Sequence, residues 1–267
     1  MPQLVTIDDP TDPRIALYRD VREHDLVGRQ ARYIAEGEVV VRVLIDASDH
    51  EPVSLFLAEK RVAKLADAIA QLPDAVPVYV APQAIMDEIA GFPMHRGILA
   101  LGRRKSPGTA QALLAGLPRR AMVLVLFGIA NHDNMGGLFR NAAAFGVDLV
   151  VLDSDCCDPL YRKAIRVSAG NVLRVRFAQL ERGTDVLDLV EAQGFEAVAL
   201  SPSGETALCD AHRSDRLALL FGAEGPGLPD PVIRRARAVR IPIEAGVDSL
   251  NVATASGIVL HHFAGKD

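Results

Sequence analysis

GIANHDNMGGLFRNAAAFG, residues 128–146, is the stretch on which the fold turns. It follows the apolar run Met122–Phe127, which has the character of a strand buried on both faces. The chain then passes through Asn131, Asp133 and Asn134 into helical spacing over Met135–Phe145, with Gly136 and Gly137 at the entrance. A buried strand running through a polar, glycine-containing loop into a helix is the repeating unit of a parallel α/β sheet. Downstream the alternation continues. Strands are predicted near Leu149–Leu152, Leu173–Phe177, Ala197–Leu200, Leu217–Phe221 and Val239–Ile241. Helices are predicted near Pro159–Val167, Asp185–Ala192, Pro229–Arg235 and Asn251–Phe263. Residues 120–267 are therefore expected to form an α/β domain on a parallel sheet.

Upstream, residues 1–102 read as a smaller α/β domain. Arg14–Asp25 is compatible with a helix. Glu38–Ile45 is β-branched and short, and leaves helix or strand open. Val53–Leu57, Val76–Val80 and Gly97–Leu101 read as strands. Glu59–Gln71 and Pro82–Ala90 read as helices. Arg103-Arg104-Lys105-Ser106-Pro107-Gly108 opens an expected connector over 103–119.

Composition sets limits on function. With 49% hydrophobic and 24% charged residues, the 267-residue chain has ample material for a core. The formal net charge of −5 gives no global basic signature, so a nucleic-acid partner would have to meet a local basic patch. Arg29, Arg32, Arg42, Arg103, Arg104 and Lys105 are candidates for one. Cys156, Cys157 and Cys209 form no C-x-x-C pair, which argues against a zinc site and a disulfide framework. The seven histidines show no metal-ligand grouping, so no metal is expected. The acidic start and the lack of a long apolar run predict a cytoplasmic protein that does not enter a membrane.

Three loops follow strands at the edge where open α/β sheets bind ligands. In the first, free N–H groups at the helix start favour an anion, and Asn134 or Asp133 is placed to cap the helix. Arg140, about one turn into the helix, offers a planar fork for a phosphate or a ribose hydroxyl. The second, LLFGAEGPGLPD at 219–230, sets Glu224 among close glycines, where it can accept hydrogen bonds from a ligand. The third, IPIEAGVDSLNVATASGIVLHH at 241–262, supplies Ser249 and Asn251 as N-cap candidates. Its small run Ala253–Gly257 allows the last helix to lie close to a neighbour.

Together these segments resemble the SpoU/TrmH-type RNA 2′-O-ribose methyltransferases of the SPOUT class. Asn134, Gly136 and Arg140 resemble that family's first motif, Asn-x-Gly-x-x-x-Arg. Gly222, Glu224, Gly227 and Leu228 resemble its Gly-x-Glu-x-x-Gly-Leu motif. Ile241, Pro242 and Ser249–Ala253 resemble its last motif, Ile-Pro-Met followed by Ser-Leu-Asn-Val and then serine or alanine. Lys163, Arg166, Ser168 and Gly170 resemble a further Lys-x-x-Arg-x-Ser-x-Gly stretch. The chain departs from the pattern at Asn131–His132, where Asp-Pro is frequent, and at Ile243, where methionine is usual. Glu36–Gly37 and His95–Ala100 resemble the L30e-type substrate-binding domain of some members, with Arg96 in place of the usual glutamine.

The resemblance implies a deep trefoil knot, a homodimer with the active site at its interface, and S-adenosyl-L-methionine as cofactor. It implies that Leu200, Ser201, Gly222, Gly227, Ile241, Leu250 and Ala253 enclose the cofactor. It gives Arg140, Asn134, Glu224, Asn251 and Ser249 catalytic roles on an RNA substrate, with ribosomal RNA favoured over transfer RNA. Two other classes compete. A nucleotide-dependent oxidoreductase needs a G-x-G-x-x-G loop with an acid about 20 residues on; Asp153 is loosely placed for that, but the glycine spacing is wrong. A non-catalytic RNA-binding protein on the same fold would not need Arg140, Glu224 and Asn251 together.

Overall fold

The computed structural model describes residues 2–19, 31–90, 94, 96–105 and 108–264. Arg29 and His95, singled out above, lie outside them, as does the second half of the helix expected over Arg14–Asp25. The chain forms two compact units. One comprises Met1–Ser106 and Asp158–Arg174; the other comprises Pro107–Cys157 and Val175–Asp267.

The first unit holds a five-stranded sheet among the described residues. Its strands are β1 (Leu4–Thr6), β2 (Arg32–Glu36), β3 (Glu51–Ala58), β4 (Val78–Ala81) and β5 (Ile98–Arg103). Their order is β1-β4-β3-β5-β2. β1 and β3 pair with β4 in parallel, while β5 runs antiparallel to both β2 and β3. The open choice at Glu38–Ile45 resolves as a helix over Glu38–Asp46. Val40, Val41, Val43 and Leu44 are buried on its inner side, so packing of an apolar face overrides the strand preference of valine. The helix expected over Glu59–Gln71 is broken into Glu59–Val62, a 3-10 turn Ala63–Leu65, and Ala66–Ile69. Buried Leu65 carries off-helical angles of −106° and 10° at the join. From Pro13 to Tyr18 the expected first helix is a 3-10 turn capped by Asp12.

Asp158–Arg174 contributes to this unit a helix over Arg162–Val167. Arg162 Nε lies 3.4 Å from the buried carboxylate of Glu36 on β2. Gly170 turns with φ +82° against Val40 and Val43, a conformation and a closeness that both favour glycine. Ser168 is fully buried and bonds to Ile165 and Val172 of its own segment. The strand expected near Leu173–Phe177 is displaced. Asn171–Leu173 is a 3-10 turn tied by Asn171 Nδ2 to the Ser168 carbonyl, and pairing starts only at Phe177.

The second unit is built on a seven-stranded sheet among the described residues. Its strands are β6 (Ala121–Leu126), β7 (Leu149–Leu152), β8 (Phe177–Gln179), β9 (Glu196–Leu200), β10 (Thr206–Ala207), β11 (Arg216–Phe221) and β12 (Arg237–Arg240). Their order is β10-β12-β9-β11-β6-β7-β8, and every adjacent pair is parallel. The reason is composition: all of β6 and β7 and nearly all of β11 are buried, as helices on both faces require. Inside the expected connector, Thr109 caps a helix over Ala110–Ala115 that buries Ala110 and Leu114.

Because β12, β9, β11 and β6 are parallel neighbours, their C-terminal ends share one edge. From that edge spring the loops at 241–251, 201–205, 222–229 and 127–131. No helix of the described residues is long and apolar enough to cross a membrane. No group of three or more described His, Cys, Asp or Glu residues is arranged to hold a metal ion.

Candidate active site

The helix His132–Ala144 follows β6. Its N-cap is Asn131, whose Oδ1 accepts from the N–H groups of Asp133 at 2.8 Å and Asn134 at 3.3 Å. This corrects the expectation that Asn134 or Asp133 caps. Asn131 has extended backbone angles just before the first helical residue, the geometry a cap requires, whereas the other two are already helical. The side chain of Asn134, released from capping, is buried and turned to the C-terminal helix Val252–Ala264.

There the three motifs meet. Asn251 Nδ2 donates to Asn134 Oδ1 at 2.8 Å and to Glu224 Oε1 at 2.8 Å. Asn251 Oδ1 accepts from Ala253 N at 2.9 Å and Thr254 N at 3.2 Å, so the same side chain caps the last helix. A cap of this kind contributes about 1 kcal/mol, and a hydrogen bond to a carboxylate somewhat more. Removing Asn251 would also strand the buried Asn134 carbonyl. Glu224 is exposed, so its carboxylate is held by Asn251 and otherwise open to solvent.

The two helices run in parallel and in step. Asn134 meets Asn251, Gly137 meets Ala253, Asn141 meets Ala253 and Ser256, and Phe145 stacks edge-on to His261. The small run Ala253–Gly257 thus packs on the first-motif helix. A Cβ at Gly137 would stand 2.7 Å from that of Ala253, closer than real carbons approach. Gly137→Ala should therefore lose net stability of about 1 kcal/mol, because the clash outweighs the helix propensity gained. A thermal melt in which Gly137→Ala is more stable than the wild type would refute this close approach.

The glycine loop after β11 folds tightly upon itself. Gly227 N bonds to the Ala223 carbonyl at 3.0 Å, and a Cβ at Gly222 would overlap the Gly227 carbonyl. Gly225 and Gly227 have φ of +87° and +70°, with nothing within 4 Å of either Cβ position. Leu228 is buried and anchors the loop. In the neighbouring loop, Gly204 lies under the Val239–Arg240 backbone, and Arg240 Nη1 donates to the carbonyls of Gly204 and Glu205. Leu200, Ser201, Gly222, Ile241, Leu250 and Ala253 are half-buried around this edge, and Gly227 is exposed.

Two expected residues stand outside the hydrogen-bonded cluster. Ser249 is exposed in the 241–251 loop. Arg140 is exposed in the third turn of its helix rather than about one turn in, because the helix starts at His132, and it flanks the packed stripe three residues beyond Gly137. Two residues that the motifs do not mark are engaged. Asp153 Oδ2 accepts from Gly128 N at 2.9 Å, and its Oδ1 accepts from Asp155 N and Cys156 N. Its oxygens hold the first loop. Asn141 bridges the two helices. Its place seven residues after Asn134, on the same helical face, is the one signal the sequence carries for it.

Of the basic residues, Arg42 is paired with Glu38 and Asp67, and Arg103 with Glu51. Lys163 and Arg166 are exposed on the Asp158–Arg174 segment of the first unit. Burial pushes the Cys156 thiol well up, consistent with its packing between Ile129 N and the Leu126 carbonyl.

Residues 121–261 match the SpoU rRNA Methylase family. A Mycobacterium tuberculosis protein named as an uncharacterized tRNA/rRNA methyltransferase is 40% identical over 263 residues, covering 95% of this chain and 89% of that protein. The 23S rRNA (guanosine-2′-O-)-methyltransferase RlmB of Acinetobacter baylyi is 28% identical over 228 residues, covering 83% of this chain and 92% of that protein. The crystal structure of an AdoMet-bound rRNA methyltransferase from Sinorhizobium meliloti shares the fold with a TM-score of 0.82 at 22% identity, over 97% of each chain. With its three motifs converging on one sheet edge and its sequence matched from β6 into the last helix, the chain belongs to the SpoU rRNA methylase family.

Proposed function

We propose that the protein transfers a methyl group from S-adenosyl-L-methionine to a ribose 2′-hydroxyl of structured RNA, with 23S ribosomal RNA as the favoured substrate. Membership of the family carries RNA methylation. The observation that carries the finer reading is the Asn134–Asn251–Glu224 cluster, with Arg140 exposed on the adjoining helix.

The residues at the sheet edge fit the cofactor. Leu200, Ile241, Leu250 and Ala253 offer half-buried apolar surface, and Ser201 and Gly222 offer backbone polar groups beside it. The space left open at Gly225 and Gly227 is room that side chains would fill. When bound, S-adenosylmethionine supplies a methyl group on a sulfonium with a neutral thioether as leaving group. The protein's share is alignment, plus help in removing a proton from a weakly acidic hydroxyl.

Arg140 does not act as a simple general base in this reading, because a guanidinium offers five donors and no acceptor. In this reading it binds the phosphate 3′ to the target or polarises the hydroxyl, so that phosphate or water accepts the proton. Asn134, Glu224 and Asn251 orient the ribose and Arg140, with Ser249 contributing from the third loop. The close backbone crossings at Gly222–Gly227 and Gly204–Val239 suit a trefoil knot formed by these loops. Exposed Ile243, Val247 and Ile258 suit a second copy of the chain, giving a homodimer. Residues 1–102 act as the L30e-like substrate-binding domain, 103–119 as connector and 120–267 as the catalytic domain, in the cytoplasm where the RNA resides.

Mass spectrometry of 2′-O-methyl nucleosides from cells with and without the gene tests the substrate. Loss of one ribose methyl from ribosomal RNA is expected. Unchanged ribosomal RNA with an altered transfer RNA would move the assignment to a transfer-RNA ribose methyltransferase.

A further inference from the structure

The stripe joining the two parallel helices has a polar side chain at its centre that the proposed chemistry does not use. Asn141 lies one turn beyond Gly137 and next to Arg140. Its Nδ2 donates to the Ala253 carbonyl at 2.6 Å and to Ser256 Oγ at 2.9 Å. Ser256 is fully buried, and its Oγ donates to the same carbonyl at 2.8 Å. Gly257 packs beside the amide: a Cβ there would stand 3.4 Å from Asn141 Nδ2, an ordinary contact.

An apolar residue at this place would hold the helices by dispersion, which tolerates sliding. Hydrogen bonds to a fixed carbonyl and hydroxyl do not, because they weaken steeply with distance and angle. A slip of one residue shifts a helix by about 1.5 Å along its axis. That is enough to break the two 2.8 Å bonds by which Asn251 joins Asn134 to Glu224. Ala253, which Asn141 grips by its carbonyl, is gripped at its N–H by Asn251. The two asparagines hold one residue from opposite ends.

We infer that Asn141 is a positioning residue: it fixes the axial register of the C-terminal helix against the first-motif helix, and thereby holds Asn251 where it links Asn134 to Glu224. Only the cofactor readout below rests on the proposed methyl-transfer reading.

The test combines amide hydrogen exchange with calorimetric titration of S-adenosylmethionine, using the full chain. The proteins are wild type, Asn141→Leu, Asn141→Thr, Asn251→Ala and the Asn141→Leu/Asn251→Ala double variant. In Asn141→Leu the amides of Ala253–Ser256 should exchange about tenfold faster, the value of one hydrogen bond. Asn141→Thr keeps a hydroxyl donor and should stay within about threefold of wild type. Cofactor affinity should fall about tenfold in Asn141→Leu and in Asn251→Ala, and by no more in the double variant, because both act on one arrangement.

Unchanged exchange in Asn141→Leu overturns the inference, as does Asn141→Thr exchanging as fast as Asn141→Leu. Losses that multiply to about a hundredfold in the double variant do so too. Should the leucine variant not fold, Asn141→Ala replaces it, with the same local acceleration expected and wild-type exchange as the contrary result. A wild type that does not bind S-adenosylmethionine sinks the cofactor reading alone, and exchange still decides the register.

Discussion

Replacing Arg140 by alanine should lower kcat for methyl transfer by about 10²–10³-fold at saturating RNA, the usual cost of removing a donor aimed at developing negative charge. Placement is the reason. Arg140 is exposed and takes no part in the Asn134–Asn251–Glu224 cluster, so its loss leaves that cluster, the helix pair and the fold intact. Its guanidinium presents five donors in a planar fork. S-adenosylmethionine affinity should therefore stay within about twofold, as for other surface substitutions away from structural features. Single-turnover kinetics with saturating RNA separates the outcomes. Near-normal turnover in Arg140→Ala would remove it from the mechanism, and a purely raised KM would reduce it to an RNA-binding residue.

The second large effect is expected at Gly222. A Cβ there would overlap the Gly227 carbonyl and the Leu228 nitrogen, both backbone atoms with no rotamer to yield. The loop is pinned by the Gly227–Ala223 hydrogen bond on one side and buried Leu228 on the other. Gly222→Ala should cost about 3 kcal/mol, at the upper end for overpacking, and abolish measurable cofactor binding. Gly116→Ala is the control. Its Cβ would meet only ordinary contacts, 3.5 Å from the Ala112 carbonyl, so stability should change by less than about 0.5 kcal/mol. Equal urea midpoints for Gly222→Ala and wild type would mean that the loop does not close on itself as described.

Much of the second unit is legible in the sequence because its signals are long and consistent. β6, β7 and β11 are continuous apolar runs bounded by turn residues, and those runs mark the strand ends to within a residue or so. The loops at 128–146, 219–230 and 241–262 sit at one edge because parallel strands leave no other place for them. What periodicity does not reveal is the hydrogen bonding between motifs. Nothing in the spacing says that Asn251, rather than Ser249, joins Asn134 to Glu224, or that Asn131 takes over capping. Those depend on which side chain is released by its neighbour's cap.

The first unit is harder to read, for a different reason. Its strands are short, and β1 and β2 carry three and five residues, too few for a period to declare itself. The valine-rich Glu38–Asp46 segment resembles a strand by propensity and is a helix by packing. Residues 158–174 lie between motifs of the second unit in the chain, yet they pack with the first. Gly170 against Val40 and Val43, and Arg162 against Glu36, are contacts between residues more than 100 positions apart.

Under the proposed function, the cluster and Arg140 serve methyl transfer to a ribose hydroxyl. The most direct test is incubation of the purified protein with RNA and S-adenosylmethionine carrying a deuterated methyl group, followed by digestion to nucleosides and fragmentation in a mass spectrometer. The label is expected on the ribose fragment of a 2′-O-methyl nucleoside, and is expected to be lost in Arg140→Ala. A label on the base fragment, or none on any RNA while the cofactor binds, would contradict the proposed chemistry.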